Sequence, residues 1–486
     1  MNDQGTQPRQ PQSQRGPAEL PPLEQPGSRI NWDACADETS ERMDQPHAPL
    51  RADLRIECAH VFGVLDSPDA PGRGVSRIGL LKAGHGKTPL VVLNDVNGVP
   101  GTLYAAQLAS ILPPEMLSKF SLIGVDRRGT GDSDAARCIP GPAREQLVNI
   151  DPAANDVEPV VDAAREAGKE CSIELETQFG ALDSERTVAD LETVRKALGI
   201  RHLNAIARGE GSRVLSLYAT RHPDNAGRLV LDGAPDPSRD DLAATEETAA
   251  GAQAAYRDFA TECTSGDCPL GPDPEQALSE LVDRLRDRPL NTASGTTLGP
   301  GAALSAVLNG LADRPRWREL ATAIAKARTG DGAELARFVE PMLKSTATKP
   351  ARLDGALVTS CNDSMSRLSP DRINKTARDW RGKYPLFGGL IAQRLAWCSP
   401  WSRRTAPLPS PKGNGLPPVL VVSTRADPVT PERGTSRAAQ NLSTAVRISW
   451  QGAGHGGVGQ SECVTEAVTN FLIDGNVPHD DTPCPA

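Results

Sequence analysis

Two residues near the C-terminus have the types and the setting that acid–base chemistry needs. Asp427 follows the apolar run 419–422, and His455 lies in the glycine-rich segment 452–457 after a second apolar run. A carboxylate beside a histidine fixes the tautomer of the imidazole, which can then take a proton from a nucleophile. Taken singly, Asp427 could be a turn residue before Pro428, and His455 could be an ordinary loop histidine. Their order and their strand context favour an acid–base pair.

A third segment has the pattern of a turn that carries a nucleophile, but the nucleophile is missing. Residues 203–207 form an apolar run typical of a buried strand, and residues 212–221 are typical of a helix. In the nucleophile-elbow pattern G-x-S-x-G, the serine stands at the tip of the turn. Here the five positions read Ala, Arg, Gly, Glu and Gly, so Gly209 stands at the tip. Ser212 is interpreted as a helix-start residue and not as a relocated nucleophile.

The N–H group of Glu210 follows the tip of the predicted elbow. Backbone N–H groups at this position stabilise the oxyanion that develops during acyl transfer. The carboxylate of Glu210 would oppose that negative charge unless it points away or pairs with Arg208. Glu210 is therefore a candidate for the oxyanion region, with a side chain that weakens the site.

Apolar runs alternate with helical patterns along much of the chain, which is typical of a parallel α/β sheet. Residues 52–82 predict antiparallel edge strands before it. The chain order of elbow, Asp427 and His455 is that of α/β-hydrolases. We therefore predict an α/β-hydrolase fold, with a mostly parallel central sheet and an inserted helical cap. The predicted parts are a disordered leader over 1–30, a first core part over 31–236, the cap over 237–410 and a second core part over 411–486.

Composition excludes several classes of protein. The 486 residues carry a net charge of −9, which argues against nucleic acid as a partner. No apolar run approaches the roughly 20 residues that a membrane-spanning helix needs. The ten cysteines lack metal-binding spacing, so we predict neither a metal site nor a cofactor. Their even number favours disulfides in an oxidising compartment over ten buried thiols, although residues 1–28 contain no visible signal peptide.

The same turn also has a weaker likeness to a dinucleotide-binding fingerprint. Gly209 and Gly211 follow a strand and open a helix, and Asp232 ends the next strand. Val214 stands where the third glycine belongs, and the unit lies in the middle of the chain. Dinucleotide binding is therefore kept as a second alternative.

Several longer motifs resemble those of the secreted tripeptidyl-aminopeptidase-like serine hydrolases of actinobacteria, whose C-terminal part is a TAP-like module. They are the segments 125–131 (VDRRGTG), 187–199 (TVADLETVRKALG), 218–237 (YATRHPDNAGRLVLDGAPDP), 426–431 (ADPVTP) and 454–456 (GHG). The resemblance runs from about residue 32 to residue 484. It implies an α/β-hydrolase with a helical cap, an exported location and five disulfides, pairing Cys35 with Cys58, Cys138 with Cys171, Cys263 with Cys268, Cys361 with Cys398, and Cys463 with Cys484.

Two departures from the family fall on the predicted catalytic machinery. The family elbow reads roughly G-Y-S-Y-G-T, whereas this chain has Gly209 in the place of the serine. The family's oxyanion loop is rich in glycine, whereas this chain has the segment 94–102 (NDVNGVPGT), which places Asn97 and Gly98 in the oxyanion region. Fewer glycines leave the backbone N–H groups less free to converge on an oxyanion.

These observations predict an exported hydrolase-fold protein whose serine-dependent catalysis is lost. Asp427 and His455 would be a remnant dyad, and the surviving role would be to bind a peptide or a small envelope ligand under the cap, or a protein partner. The first alternative is an active hydrolase or peptidase in which His455 and Asp427 activate water directly. Residual hydrolysis is compatible with loss of one triad member.

Overall fold

The computed structural model describes residues 18–28, 30–43, 50–237, 240–402 and 406–486. Its strands are β1 (Asp33–Ala34), β2 (Ile56–Val64), β3 (Val75–Ala83), β4 (Thr88–Leu93), β5 (Phe120–Val125), β6 (Leu203–Arg208), β7 (Ala226–Asp232), β8 (Leu290–Asn291), β9 (Thr297–Leu298), β10 (Val419–Ala426), β11 (Ala445–Ala453) and β12 (Thr482–Cys484).

The α-helices fall into three groups along the chain. Those before β7 are α1 (Ala36–Arg42), α2 (Gly101–Ile111), α3 (Pro114–Lys119), α4 (Gly141–Val148), α5 (Glu158–Leu175), α6 (Ser184–Leu198) and α7 (Glu210–Arg221). Between β7 and β10 lie α8 (Asp241–Thr264), α9 (Pro274–Asp287), α10 (Pro300–Leu311), α11 (Trp317–Arg328), α12 (Ala333–Ala336), α13 (Glu340–Leu343), α14 (Arg352–Asp363), α15 (Pro370–Lys383) and α16 (Gly388–Arg394). The last two are α17 (Glu432–Asn441) and α18 (Glu462–Asp474).

Ten strands form one sheet in the order β1-β2-β3-β5-β4-β6-β7-β10-β11-β12. β2 and β3 pair antiparallel, and β3 pairs antiparallel with β5. From β5 to β12 every pairing is parallel. β7 and β10 are direct neighbours although 186 residues separate Asp232 from Val419. The predicted fold class is confirmed, and the carboxyl ends of β4, β6, β10 and β11 lie at one edge of the sheet.

The helices inserted between β7 and β10 have a hydrophobic core of their own. That core also takes in residues of α4 and α5, which precede the predicted cap. A buried ion pair joins the two sets, because Asp354 on α14 accepts from Arg144 on α4. Asp354 also accepts the backbone N–H groups of Cys138 and Ile139. The helical layer therefore draws on residues 141–175 as well as on the predicted range 237–410.

The five disulfides that the family resemblance implies are all present, and they use all ten cysteines. Most of the predicted disordered leader, residues 1–17 and 29, lies outside the described residues. The part that is described packs on the body: Ala18 donates to the carbonyl of Leu416, and the Glu24 carboxylate accepts from the N–H of Arg201 at 2.7 Å. Within the predicted leader, residues 18–28 therefore include contacts with the folded body, and the boundary at residue 30 stays a prediction.

Candidate functional site

The turn between β6 and α7 has the backbone of a nucleophile elbow. Gly209 adopts φ +54° and ψ −125°, a region that residues with a side chain enter only at a cost in energy. Its N–H donates to the carbonyl of Asp232 on the neighbouring strand β7. The Ser212 hydroxyl is fully buried and donates to the carbonyl of Ala207 at 2.6 Å. Ser212 therefore braces the turn from inside, and no serine hydroxyl stands at the tip.

The structure brings His455 and Asp427 together at the carboxyl ends of β10 and β11. His455 Nδ1 lies 3.0 Å from Asp427 Oδ2, and both side chains are buried. Asp427 is itself held by the N–H groups of Val429 and Thr430, each at 2.8 Å from Oδ1. The backbone N–H of His455 donates to the backbone carbonyl of Ala312, the residue that follows α10. The acid–base pair is therefore fixed from the sheet and from the helical layer.

The other ring nitrogen of His455 contacts Asp95, a residue that was not predicted to belong to the site. Asp95, two residues after β4, places Oδ2 at 2.7 Å from His455 Nε2. Its second oxygen, Oδ1, accepts the backbone N–H of Glu210 at 2.7 Å. One carboxylate thus contacts the nitrogen that would take a proton from a nucleophile and also the N–H that would stabilise an oxyanion. Asp95 therefore occupies both the candidate general base, His455 Nε2, and the candidate oxyanion donor, the N–H of Glu210.

Gly209 is the residue that makes room for this carboxylate. A Cβ atom added to Gly209 would overlap Asp95 Oδ1 and would lie 2.6 Å from Oδ2. Any side chain at the tip would therefore collide with Asp95 as it is placed. The absence of a serine at position 209 therefore leaves the space that the Asp95 carboxylate occupies.

Two carboxylates enclose the His455 imidazole, and this sets its charge. Burial disfavours the charged form, but Asp427 and Asp95 outweigh burial and raise the pKa of His455 to about 10. Burial also acts against the charge on Asp95, yet His455 and Arg208 hold the pKa of Asp95 below its usual value. At neutral pH the site therefore contains an imidazolium between two carboxylates. A protonated imidazole cannot act as a general base.

Of the two arginines near Glu210, it is Arg213 and not Arg208 that pairs with its carboxylate. Glu210 does not pair with Arg208; its carboxylate lies 3.0 Å from Arg213 Nε, one turn further along α7. Arg208 instead donates to Asn94 Oδ1 at 3.0 Å and stacks on the Tyr104 ring at 4.2 Å. The i, i+3 spacing of Glu210 and Arg213 on one helix was the available signal for this pairing.

The predicted oxyanion residues of the loop after β4 do not reach the elbow N–H. Asn97 is exposed, and Gly98 donates its N–H to the backbone carbonyl of Asp95 at 3.3 Å. Asn94 Nδ2 crosses the loop to the carbonyl of Val99. The loop thus folds on itself and directs the Asp95 side chain towards Glu210. The sequence signal for Asp95 was a charged residue in a loop that the family keeps rich in glycine.

The described residues, those around His455 included, contain no group of three or more His, Cys, Asp or Glu side chains that could hold a metal ion. Among the helices that the structure describes, none combines the length and the apolar character needed to cross a membrane.

Comparisons with known proteins agree with the fold and show which families two parts of the chain resemble. The α/β-hydrolase-fold family matches residues 96–265, and the TAP-like protein family matches residues 384–484. Serine protease Hip1 of Mycobacterium tuberculosis is 26% identical over 481 residues, covering 94% of this chain and 91% of that protein. Tripeptidyl aminopeptidase of Streptomyces lividans is 24% identical over 475 residues, covering 94% and 86%. Carboxylesterase B of M. tuberculosis is 27% identical over 448 residues, covering 87% and 85%.

The sheet, the elbow and the acid–histidine pair define an α/β-hydrolase-fold protein. The match to the C-terminal module spans β10, β11 and the loop that carries His455. The chain thus has the α/β-hydrolase fold and a C-terminal segment that matches the TAP-like protein family, with a glycine at the position of the nucleophile.

Proposed function

We propose that this chain does not hydrolyse substrates through a serine and acts instead by binding. Its ligand would be a peptide or a small envelope molecule held under the helices of 237–410, or a protein partner. The observation that carries the proposal is the double contact of Asp95 with His455 Nε2 and with the N–H of Glu210. That contact occupies the general base and the oxyanion donor together. The peptidase names of the relatives are the reason for expecting a peptide.

Water activation by the His455–Asp427 pair has less support. A water molecule would need the lone pair on His455 Nε2, but this nitrogen donates to Asp95 at 2.7 Å. The raised pKa of His455 keeps the imidazole protonated at neutral pH. The negative charge of Asp95 would also repel a hydroxide-like nucleophile next to His455 Nε2, the position from which an activated water would attack.

Dinucleotide binding also has less support. In that fingerprint the acidic residue at the end of the second strand is free to bind a ribose hydroxyl. Here Asp232 is fully buried and accepts the N–H groups of Gly457 and Val458. Val214, at the third glycine position, is also fully buried. A titration with NADH, followed by its fluorescence, tests this alternative, and saturable binding would favour it.

We further propose that the protein works in an exported, oxidising location. The support is the pairing of all ten cysteines, because disulfides persist where thiols are not kept reduced.

Labelling with a fluorophosphonate probe tests the central proposal. The probe reacts with an activated serine, so the native wild type is expected to remain unlabelled at neutral pH. The double variant Asp95→Gly with Gly209→Ser is the matched comparison, because it restores a hydroxyl and removes the carboxylate that opposes it. Labelling of the wild type that disappears in His455→Ala would contradict the proposal.

A further inference from the structure

An open cavity of about 470 Å³ lies beside β3. Its walls come mainly from α1, from β3, from the turn 131–137 and from the segment 347–350 of the inserted region. Ligand sites in proteins commonly have volumes of about 300–1,000 Å³, so the cavity has the size of a small-molecule site. Glu38, Arg77 and Arg137 line it and are exposed. The cavity is therefore open to solvent, and a small ligand can enter it.

Two ion pairs neutralise four of the charged side chains that line this cavity. Arg42, at the end of α1, is buried and pairs with Asp132. Arg77 Nε lies 3.2 Å from Asp134 Oδ1, and the backbone N–H of Arg77 donates to the other oxygen of this carboxylate at 3.3 Å. Each arginine offsets one aspartate, so the four side chains together contribute no net charge to the cavity.

A third arginine of the cavity has a charge that no carboxylate of the described residues offsets. The Arg137 guanidinium donates to the Ser345 hydroxyl at 2.8 Å and to the backbone carbonyls of Thr346 and Ala347 at 2.6 and 3.0 Å. These three acceptors are neutral. A guanidinium has five N–H donors, so two of them remain for a ligand. Arg137 therefore offers the cavity a full positive charge together with free donors.

A glutamate of the cavity carries the opposite charge. Glu38 lies four residues before Arg42 on α1, so both side chains lie on one face of this helix. Arg42 pairs with Asp132 instead, and no ion pair among the described residues includes Glu38. The cavity therefore presents one unpaired carboxylate, from Glu38, and one unpaired guanidinium, from Arg137.

The walls that carry these two charges are fixed by the fold. The disulfide Cys35–Cys58 ties the residue before α1 to β2. At the other end of α1, Lys349 Nζ donates to the carbonyl of Met43 at 3.3 Å, which joins this helix to the inserted region. A site that is fixed before its ligand arrives loses less entropy on binding. The positions of the walls are thus set before a ligand binds.

We propose that this cavity binds a small zwitterion, a molecule with a free ammonium group and a free carboxylate, such as an unblocked dipeptide. The carboxylate binds Arg137, because a planar guanidinium with free N–H groups matches a carboxylate in charge and shape. The ammonium group binds Glu38. A ligand with one charge alone leaves the other side chain unmatched, so opposite charges at its two ends favour both binding and orientation. This inference rests on the proposed binding function and places its ligand in this cavity.

Calorimetric titration of the full chain with alanylalanine tests the inference. N-acetylalanylalanine lacks the ammonium charge, and alanylalanine amide lacks the carboxylate. Each derivative is expected to bind about tenfold more weakly than the free dipeptide, because it leaves Glu38 or Arg137 without a partner. Free alanine distinguishes two sources of a zwitterion. Alanine that binds as tightly as the dipeptide would support the site and assign it to amino acids, whereas weaker binding by alanine would support it and assign it to peptides.

Two substitutions assign the ends of the ligand. Arg137→Gln should lower the affinity for the dipeptide about tenfold and leave that for the amide unchanged, because the amide has no carboxylate. Glu38→Gln should lower the affinity for the dipeptide by a similar factor and leave that for the acetyl derivative unchanged. Arg337→Gln is the matched control, because Arg337 is an exposed arginine that does not line the cavity. This control should bind the dipeptide as the wild type does.

Equal binding of the dipeptide and both derivatives would overturn the inference. So would an absence of binding by both the dipeptide and alanine, or an unchanged affinity for the dipeptide in either variant. Acetate that binds as tightly as the dipeptide would assign the cavity to simple anions and overturn the zwitterion assignment. Mass spectrometry of the dipeptide after each titration separates the two proposals. Hydrolysed dipeptide would contradict the proposed function, whereas the contrast among the ligands concerns the cavity alone.

Discussion

A Cβ atom on Gly209 would overlap Asp95 Oδ1, so the observed position of the Asp95 carboxylate requires a glycine at the tip of the elbow. The elbow has the positive φ of a strained nucleophile turn, and the Ser212 hydroxyl donates to the carbonyl of Ala207 inside it. What differs is the group that faces His455. A carboxylate, reaching in from the neighbouring loop, takes the place of a hydroxyl on the turn.

Gly209→Ser is expected to destabilise the protein and to leave it inert to serine-directed probes. The new side chain would be strained by the positive φ at this position, and it would also collide with Asp95. Together these two effects should lower the free energy of unfolding by roughly 3 kcal/mol. Urea unfolding measures the change. Adding Asp95→Gly should recover at least about 1 kcal/mol, because it removes the collision.

Gly72→Ser is the control for backbone strain. Gly72 has φ +68°, and an added Cβ would meet nothing within 4 Å. The loss there should be about 1 kcal/mol, from the backbone alone. Equal losses at Gly72 and Gly209 would mean that Asp95 does not restrict the elbow.

His455 is expected to remain protonated well above neutral pH. Its pKa of about 10 should appear in the carbon chemical shifts of labelled histidine, with His455→Gln assigning the signal. In Asp95→Asn the imidazole loses one of its two carboxylates, so its pKa should fall towards the usual value near 6.5. A wild-type signal that titrates near pH 6.5 would contradict the ion-pair arrangement.

The contacts of Asp95 should also stabilise the fold within a defined pH window. Asp95 has a lowered pKa, so its contribution is present above about pH 4 and is lost as the pH falls through its folded pKa. His455 has a raised pKa, so its contribution is complete below about pH 6.5 and is lost as the pH rises through about 10. Asp95→Asn should therefore cost roughly 1–3 kcal/mol between pH 4 and 6.5. Urea unfolding at a series of pH values tests this, and a cost that grows above pH 8 would be contrary to it.

The disulfide Cys463–Cys484 should contribute to stability by closing the C-terminal segment onto the sheet. It joins α18 to β12, and its two cysteines are 21 positions apart in the sequence. Replacing both cysteines by alanine should lower the free energy of unfolding by about 3 kcal/mol. Mass spectrometry of the unreduced wild type should find no thiol at either position. Free thiols there would argue against the exported location.

The sheet and the acid–histidine pair could be predicted from sequence because each depends on local pattern and chain order. The apolar runs that became β4, β5, β6, β7, β10 and β11 are buried strands with short, clear boundaries. Asp427 and His455 follow two of them, so parallel pairing alone brings them to one edge.

Asp95 could not be assigned from the sequence, because its role depends on how closely one loop approaches another. Asp95 and Gly209 are 114 residues apart, and neither residue specifies the other locally. For a similar reason, the packing of α4 and α5 in the core of the helical layer could not be predicted from the sequence. The contact of Arg144 with Asp354 spans 210 residues.

Turnover of peptide arylamides by the wild type and by His455→Ala tests the central claim most directly. If Asp95 closes the site, neither protein should hydrolyse the substrates above the rate of buffer, from pH 6 to pH 9. Turnover by the wild type that His455→Ala abolishes would contradict the account and would establish His455 and Asp427 as a working water-activating pair.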